Sequence, residues 1–535
     1  MTSDPLQSQQ SDPPLDLELS RGDDPRVIEE QTHEEYTDHV VPFSARLSKA
    51  PILGSWSSIA SAMAFVYYGA LAATLVGIEQ ALIGVTLTCV SYAVLGGLGT
   101  VKAIRTGLNS TLMSRELFGV SGAAICPLII TLGTAFYAVF EGSVMAAALQ
   151  TYFGVGDIRV WYAVVVVGTL PLMLGGMRTW LGLLNGVSMP IYFFGVLAAV
   201  LVAGSRFGWD GRWDLFDHPT AAGTGLPGWL TIFVLYMGVW IVLPEIQDSA
   251  RMAEPKDTKF HASVTFGILF WLVAYLFNAI AGILIVALAY GQPGVEPTEI
   301  GAVQGVIASL GVVGLIVIVV SQVRINTANF YYMSISAERF VSHFTTKNLS
   351  RRAWVLLGSA VVLIVMFTDI FSYLATALAW MGCLLASWMG IQLVGWWLDR
   401  GKDVEFRPER LKNVAPGFYL WVGSTALGIL LVETPGHFPT ASALAPLITF
   451  TVAAAGYIAM RLINATAHAP NRPDRIRDQV ADLWNTRIRC HRCKLSYAAI
   501  EMDTGADDTI ILCLKCQSLG RIAKPVSQPP STVRK

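Results

Sequence analysis

Charge is scarce in this 535-residue chain. Only 14% of its residues are Asp, Glu, Lys or Arg, against about 25% in an ordinary soluble domain, and mean hydropathy reaches +0.53. That deficit argues against a protein whose whole surface is solvated. No cleavable leader is expected in the first fifty residues, which are rich in Asp, Glu, Gln and Pro and carry no apolar block, and so lack the basic start and hydrophobic core of a signal. GGLGT at Gly96–Thr100 ends an apolar run and lacks the Lys-Ser/Thr of a phosphate loop. With no nucleophile constellation either, an enzyme is not expected. A net charge of −1 says little about partners, and no nucleic acid is expected among them.

What the chain has is long apolar runs. A span needs about 20 such residues, and twelve runs are centred near residues 64, 91, 135, 168, 194, 239, 275, 320, 361, 384, 425 and 453. The expected fold class is an all-α polytopic membrane protein with twelve transmembrane helices. With the termini on one side, the loops of the opposite side hold only Arg159, Arg206 and Arg212. The positive-inside rule therefore puts both termini in the cytoplasm, in a plasma or inner membrane. The domains expected are a disordered acidic tail over 1–47, a twelve-helix body over 48–465, a polar linker over 466–488, a small module over 489–520 and a flexible tail over 521–535. His33 and His39 in the acidic tail are expected to be solvated.

The stretch SQVRINTANFYYMS, Ser321 to Ser334, sets Arg324, Asn326 and Asn329 within the hydrophobic run from Val306 to Val341. An arginine at the centre of a membrane helix costs roughly 2.5–3.5 kcal/mol on insertion scales, so partners or a water-filled cavity must face it. Gly69 in the first run and Pro244 in the sixth are candidate breaks, and broken first and sixth spans are a signature of inverted-repeat transporters.

Three segments carry a resemblance. RTGLNSTLMSRELFGVSG, Arg105 to Gly122, resembles the "TGL-x-x-x-x-x-x-R-x-x-FG-x-x-G" segment of the nucleobase–cation symporter-1 family, with Arg115 at its basic position. GVWIVLPEIQDSAR is similar to that family's Trp and Asp-Phe-Thr-Arg elements through Trp240, Asp248 and Arg251, and NTANFYYMS resembles its asparagine-bearing segment. The resemblance spans roughly residues 48–465. It implies two inverted five-helix repeats plus two helices, moving a planar nitrogen heterocycle such as cytosine or a purine by alternating access.

A heterocycle needs aromatic plates and amides along its edge. Trp240 and either Tyr137 or Phe136 are the candidate plates; Asn326 and Asn329, three apart on one helix face, are the candidate edge. Glu141 follows Tyr137 by four. The family has Trp and Gln at that spacing, although an ungapped match from Pro127 puts Ala138 at the Trp position. Glu141 is the first candidate for proton coupling, and Glu245 its rival. Asp248 and Arg251 read as a structural pair at a helix end.

In the family's sodium-coupled hydantoin transporter, adjacent Ser and Thr hydroxyls of the eighth span help bind sodium together with carbonyls of the first. This chain offers Val323–Arg324 or Arg324–Ile325 there. A guanidinium is always charged, so Arg324 is expected to replace the ion, leaving proton coupling or sodium-independent transport. An arginine bridging Asp or Glu elsewhere in the bundle is the alternative.

Cys89, Cys126 and Cys383 lie in or beside apolar runs and read as packing residues. Cys490, Cys493, Cys513 and Cys516 form two CxxC knuckles, the pattern of a four-thiolate zinc ribbon whose Zn2+ is structural, with His491 as an alternative ligand. Between them a hairpin turning at Gly505 is expected. Basic residues beside the knuckles, Arg487 and Arg489 among them, read as a solvated face or one meeting anionic headgroups. The overall expectation is a permease for a small heterocycle in the lipid bilayer; a membrane sensor signalling through the zinc module is the alternative. Oligomeric state has no signature here.

Overall fold

The computed structural model describes residues 15–34, 36–174, 177–217, 225–345, 349–368, 370–468, 473–505 and 510–522. It divides into two compact units, Arg46–Val404 with Asn413–Ala467, and Met1–Ala45 with Glu405–Lys412 and His468–Lys535.

The larger unit is all helix. Among the described residues, Ile78–Thr106, Gly122–Phe153, Ser188–Phe207, Pro255–Ala289, Val312–Phe344, Ile370–Leu398, Pro416–Glu433 and Ala445–Leu462 are long and apolar enough to cross a membrane. Two helix pairs, Lys49–Ser61 with Met63–Val76 and Gly228–Val239 with Val242–Ala250, each form a bent span, by 44° and 49°. The shorter apolar helices Ile158–Leu174 and Arg352–Met366 complete the twelve runs. In chain order the bent spans are the first and the sixth.

The breaks differ from those expected at Gly69 and Pro244. In the first span the chain leaves helical geometry at Ala62, with φ −69° and ψ 123°. Gly69 lies inside Met63–Val76 and serves packing: a Cβ there would sit 2.1 Å from the Cα of Ala279, and one on Gly282 would sit 2.0 Å from the Val66 carbonyl oxygen. Bare glycine backbones are what let the first and seventh spans approach so closely. Pro244 stands in the first turn of Val242–Ala250, where a missing N–H costs no helical bond. The sixth span breaks before it, between Val239 and Val242.

The architecture is that of two inverted five-helix repeats plus two helices. The third span packs along the eighth, the first along the seventh and the second along the sixth. A two-fold exchanging the first five spans with the next five converts the first–seventh pair into the sixth–second pair and the third–eighth pair into itself. The eleventh and twelfth spans, Pro416–Glu433 and Ala445–Leu462, pack on the tenth and on each other.

The smaller unit corrects the reading of both ends of the chain. Its core joins Ile476, Val480, Ile488, Tyr497, Met502 and Ile511, and Leu15, Leu17 and Val27 pack against it. Strand Leu19–Ser20 pairs antiparallel with Arg487–Arg489, which pairs with Ser496–Ala498. The segment read as a disordered tail is therefore folded from residue 15 onward, and most of the presumed linker belongs to the module. Opposite charges explain why composition misled: Asp23 meets Arg487 and Glu18 meets Arg489, each at 2.6 Å. Arg487 is buried in its pair, whereas Arg489 stays exposed in its own, so only Arg487 departs from the solvated face expected.

His39 is buried rather than solvated. Its ring stacks on Tyr497 at 4.3 Å, with Nδ1 3.3 Å from the Glu501 carboxylate. Burial pulls the imidazole pKa down, but the charge and hydrogen bond of Glu501 outweigh it and leave it raised. The side chain of His33 lies outside the described residues. Residues 405–412 enter the same unit through Arg407, 2.6 Å from Asp474, and Arg410, 2.7 Å from Asp503. Burial raises the Asp474 carboxyl, but the Arg407 guanidinium more than offsets this and holds it below its ordinary range.

Candidate functional site

The eighth span, Val312–Phe344, meets the bent first span along one face and lines a cavity along another. Ile325, Ala328, Asn329 and Tyr332 recur at the i, i+3, i+4, i+7 spacing of a single helical face, and all four line one cavity. The opposite walls come from Ile59, Ala62 and Phe65 at the first-span break, from Val239, Ile241 and Glu245 at the sixth-span break, and from Tyr137 and Glu141 of the third span. Four of the expected residues thus meet there: Tyr137, Glu141, Asn329 and Glu245.

Trp240, Phe136 and Asn326 are not part of that wall. Trp240 is buried with its ring edge-on to Phe450 at 5.8 Å, Phe136 packs edge-on to Tyr137 at 5.2 Å, and Asn326 is buried beside Gly142. Asn326 follows Ile325 by one residue, about 100° around the helix, and so falls outside the arc of about 100° that Ile325, Ala328, Asn329 and Tyr332 share. Of the two registers considered for the third span, the cavity contains Tyr137 and not Ala138. Its aromatic faces include Phe65 and Tyr332, which the sequence reading did not single out.

Gln322 was also missed, although it lies seven residues before Asn329 and so nearly above it on the helix. Its amide donates to the Glu141 carboxylate, and its Oε1 accepts from the Met63 backbone N–H at 3.3 Å. One side chain therefore links the third span, the eighth span and the restart of the first.

Arg324 faces the other way. Its Nη1 donates to Ser61 Oγ at 2.9 Å and to Ser188 Oγ at 3.2 Å, while the Ser321 hydroxyl donates to the Ser61 carbonyl. Asn278 Nδ2 donates to the Ala60 carbonyl at 2.9 Å. Backbone groups freed where the first span breaks are thus met by side chains of neighbouring helices, as they must be at membrane depth. Arg251 Nε donates to the Asp248 backbone carbonyl at 3.2 Å at the end of Val242–Ala250, so the two do meet at a helix end, while the Asp248 carboxylate accepts from the Ser110 N–H at 2.7 Å and lies 3.8 Å from Arg339. Ser110 opens the short helix of the RTGLNSTLMSRELFG segment, capped by Asn109, so two of the resembling motifs touch.

In the smaller unit, Cys490, Cys493, Cys513 and Cys516 have all four sulfurs within 4.8 Å of one another. A tetrahedron with metal–sulfur bonds of about 2.3 Å has sulfurs roughly 3.8 Å apart, and Cys493 and Cys513 stand at 3.9 Å. The Cys513 N–H points at Cys490 Sγ, 3.4 Å away, a donor suited to thiolate charge. The residues fit a metal ion. His491 Nδ1 already accepts from the Ile511 N–H at 2.8 Å, which removes that nitrogen from ligation. The hairpin expected at Gly505 is present, with Asp503–Thr504 paired to Ile511–Leu512.

Inverted five-helix repeats with paired breaks define a secondary-transporter fold. Mhp1 in its inward-facing conformation is similar over 79% of this chain and 93% of its own, at 17% identity and a TM-score of 0.62. Mhp1, a nucleobase-cation-symport-1 family transporter, is also similar in a closed conformation with bromovinylhydantoin bound, over 80% and 95% of the chains, at 16% identity and a TM-score of 0.58. A Na+-coupled sialic acid symporter in a substrate-bound outward-open state is similar over 82% and 94%, at 12% identity and a TM-score of 0.58. At these identities the likeness is one of fold. No protein-family model matches the chain, and no curated protein does.

Proposed function

We propose that the protein is a secondary transporter for a small planar nitrogen heterocycle, a nucleobase or a related ring, which it moves across a cell membrane by alternating access. The observation that carries this reading is a cavity bounded by the breaks of both bent spans and walled by Tyr137, Phe65, Tyr332, Asn329, Glu141 and Glu245. Aromatic faces stack on a ring, with each such contact worth about 1–3 kcal/mol. The amide and carboxyls meet its edge, and the two breaks are where an inverted-repeat transporter changes shape.

Arg324 takes the place of a coupling sodium. Its guanidinium bonds to Ser61 at the first-span break, where a cation would otherwise be needed, and transport is then sodium-independent, with Glu141 or Glu245 as the proton carrier. Both termini are cytoplasmic on the strength of the Lys/Arg bias. The four-cysteine cluster binds structural Zn2+, which contributes folding energy to the small module.

Uptake of a labelled heterocycle panel into proteoliposomes, with sodium and proton gradients imposed separately, tests the reading. Accumulation driven by protons and indifferent to sodium is the expected result. Sodium-driven accumulation sinks the role of Arg324, and saturable binding without uptake favours a sensor that signals through the cysteine module.

A further inference from the structure

The cavity has an unbalanced wall. Two of its side chains are carboxylic acids, Glu141 and Glu245, and no described lining residue is Lys, Arg or His. Glu141 is engaged by the Gln322 amide. The Glu245 carboxyl makes no hydrogen bond or ion pair with any described residue. A charged neighbour on its own half-helix, Asp248, has the same sign and is spoken for by Ser110 and Arg339. Arg324 points its guanidinium at Ser61 and Ser188 instead of into the cavity.

From this imbalance we propose that the transported ring is a cation: a heteroaromatic bearing a fixed or protonation-derived positive charge and a polar substituent, not a neutral or acidic base. The inference rests on the heterocycle-transport reading and narrows it. With Glu141 held by Gln322 and first candidate for the coupling proton, the charge that needs an answer is that of Glu245: an ionised carboxylate in a low-dielectric wall loses several kcal/mol of hydration and needs a counter-charge to recover it. A cationic ring supplies that charge, whereas an anion meets a like charge. Phe65, Tyr137 and Tyr332 add faces that attract a cation as well as stack on a ring. Asn329 Nδ2 is buried with no hydrogen-bond partner among the described residues, so its amide is free for the substituent of the ring.

The test uses the purified full-length protein and two probes that share a ring and an amide but differ in charge, nicotinamide and 1-methylnicotinamide, with cytosine and uracil as further neutral rings. Equilibrium binding is measured by scintillation proximity and uptake in proteoliposomes. The expected result is about tenfold or tighter binding of the methylated cation than of its neutral parent, the low end of what a desolvated charge pair supplies. Glu245→Gln should collapse that preference, and Glu245→Asp, which keeps the charge, should retain much of it. The retained preference separates loss of charge from loss of fold. Neutral rings bound as tightly as the cation, or a preference unchanged in Glu245→Gln, overturns the inference while leaving heterocycle transport standing. If no ring, charged or neutral, is bound or carried, the transport reading falls and takes this one with it.

Discussion

In the proposed mechanism three side chains matter most: the buried Arg324 guanidinium, the Glu141 carboxyl tied to the Gln322 amide and the Glu245 carboxyl with no partner among the described residues. Arg324 makes the clearest prediction. Wild-type uptake is expected to ignore sodium, and Arg324→Ser, which restores a hydroxyl and vacates the cation position, is expected to be slower without sodium and stimulated by it; equal sodium requirements in the two proteins would refute the replacement. Gln322 makes a second. Gln322→Leu keeps the volume but leaves both the Glu141 carboxyl and the Met63 N–H without this partner, a loss worth about 1–3 kcal/mol for a buried group. Transport kcat/KM should fall by roughly tenfold or more, with the folded yield in detergent as the control. The sequence displayed Arg324 and Asn329 as anomalies in an apolar run. It did not display Gln322 as special, because one amide among several polar residues has no distinguishing pattern until its two partners, 181 and 259 residues away, are in place.

Helices in this fold are positioned by what glycine omits as much as by what other residues bring. Gly69 and Gly423 are both helical glycines and predict opposite outcomes. A side chain at Gly69 would collide with the Ala279 backbone, whereas one at Gly423 would meet nothing within 4 Å. Gly69→Val is therefore expected to lower the thermal midpoint in detergent sharply, overpacking alone costing about 1–3 kcal/mol. Gly423→Ala is expected to be neutral or to raise it slightly, by the helix-propensity difference of up to about 1 kcal/mol. If the two changes act alike, the first–seventh contact is not as described. The twelve apolar runs were legible because membrane burial demands continuous hydrophobicity along each helix. The kinks were not, because glycine and proline occur in membrane helices for packing as well as for bending, and the first break falls at Ala62, a residue with no helix-breaking chemistry of its own.

At the scale of the whole molecule, the smaller unit is assembled from three stretches that are remote in sequence. Its four thiols lie in the same core that Leu15, Leu17 and Val27 join. Stripping the metal with a chelator is therefore expected to release the N-terminal segment, seen as faster tryptic cleavage at Arg21 and Arg26 in the full-length protein and reversed by adding Zn2+. Cleavage unchanged by chelation would show that the core stands without metal. The buried His39–Glu501 pair adds a pH dependence. Since the folded-state pKa of His39 is raised, its stabilisation is full below the ordinary value of about 6.5 and is lost as pH rises through the raised value. Hydrogen-exchange protection of the Val40 amide, which donates to the Glu501 carboxylate at 3.0 Å, should fall over that window once corrected for intrinsic rates. In His39→Gln it should lose this dependence.

Hydropathy and spacing alone determined that the chain is a twelve-span helical membrane protein, that arginine and asparagine stand at membrane depth in its eighth span, and that four cysteines form paired knuckles. Each of those properties is local, written in runs of about twenty residues or in spacings of a few. The tertiary structure decided which side chains share a cavity, since a register change of one residue turns a helical side chain by about 100°. It also decided that the acidic N-terminal segment is folded from residue 15 onward. Composition reads an acidic stretch as disordered because its countercharges, Arg487 and Arg489, lie more than 450 residues further along the chain, a distance no local pattern spans.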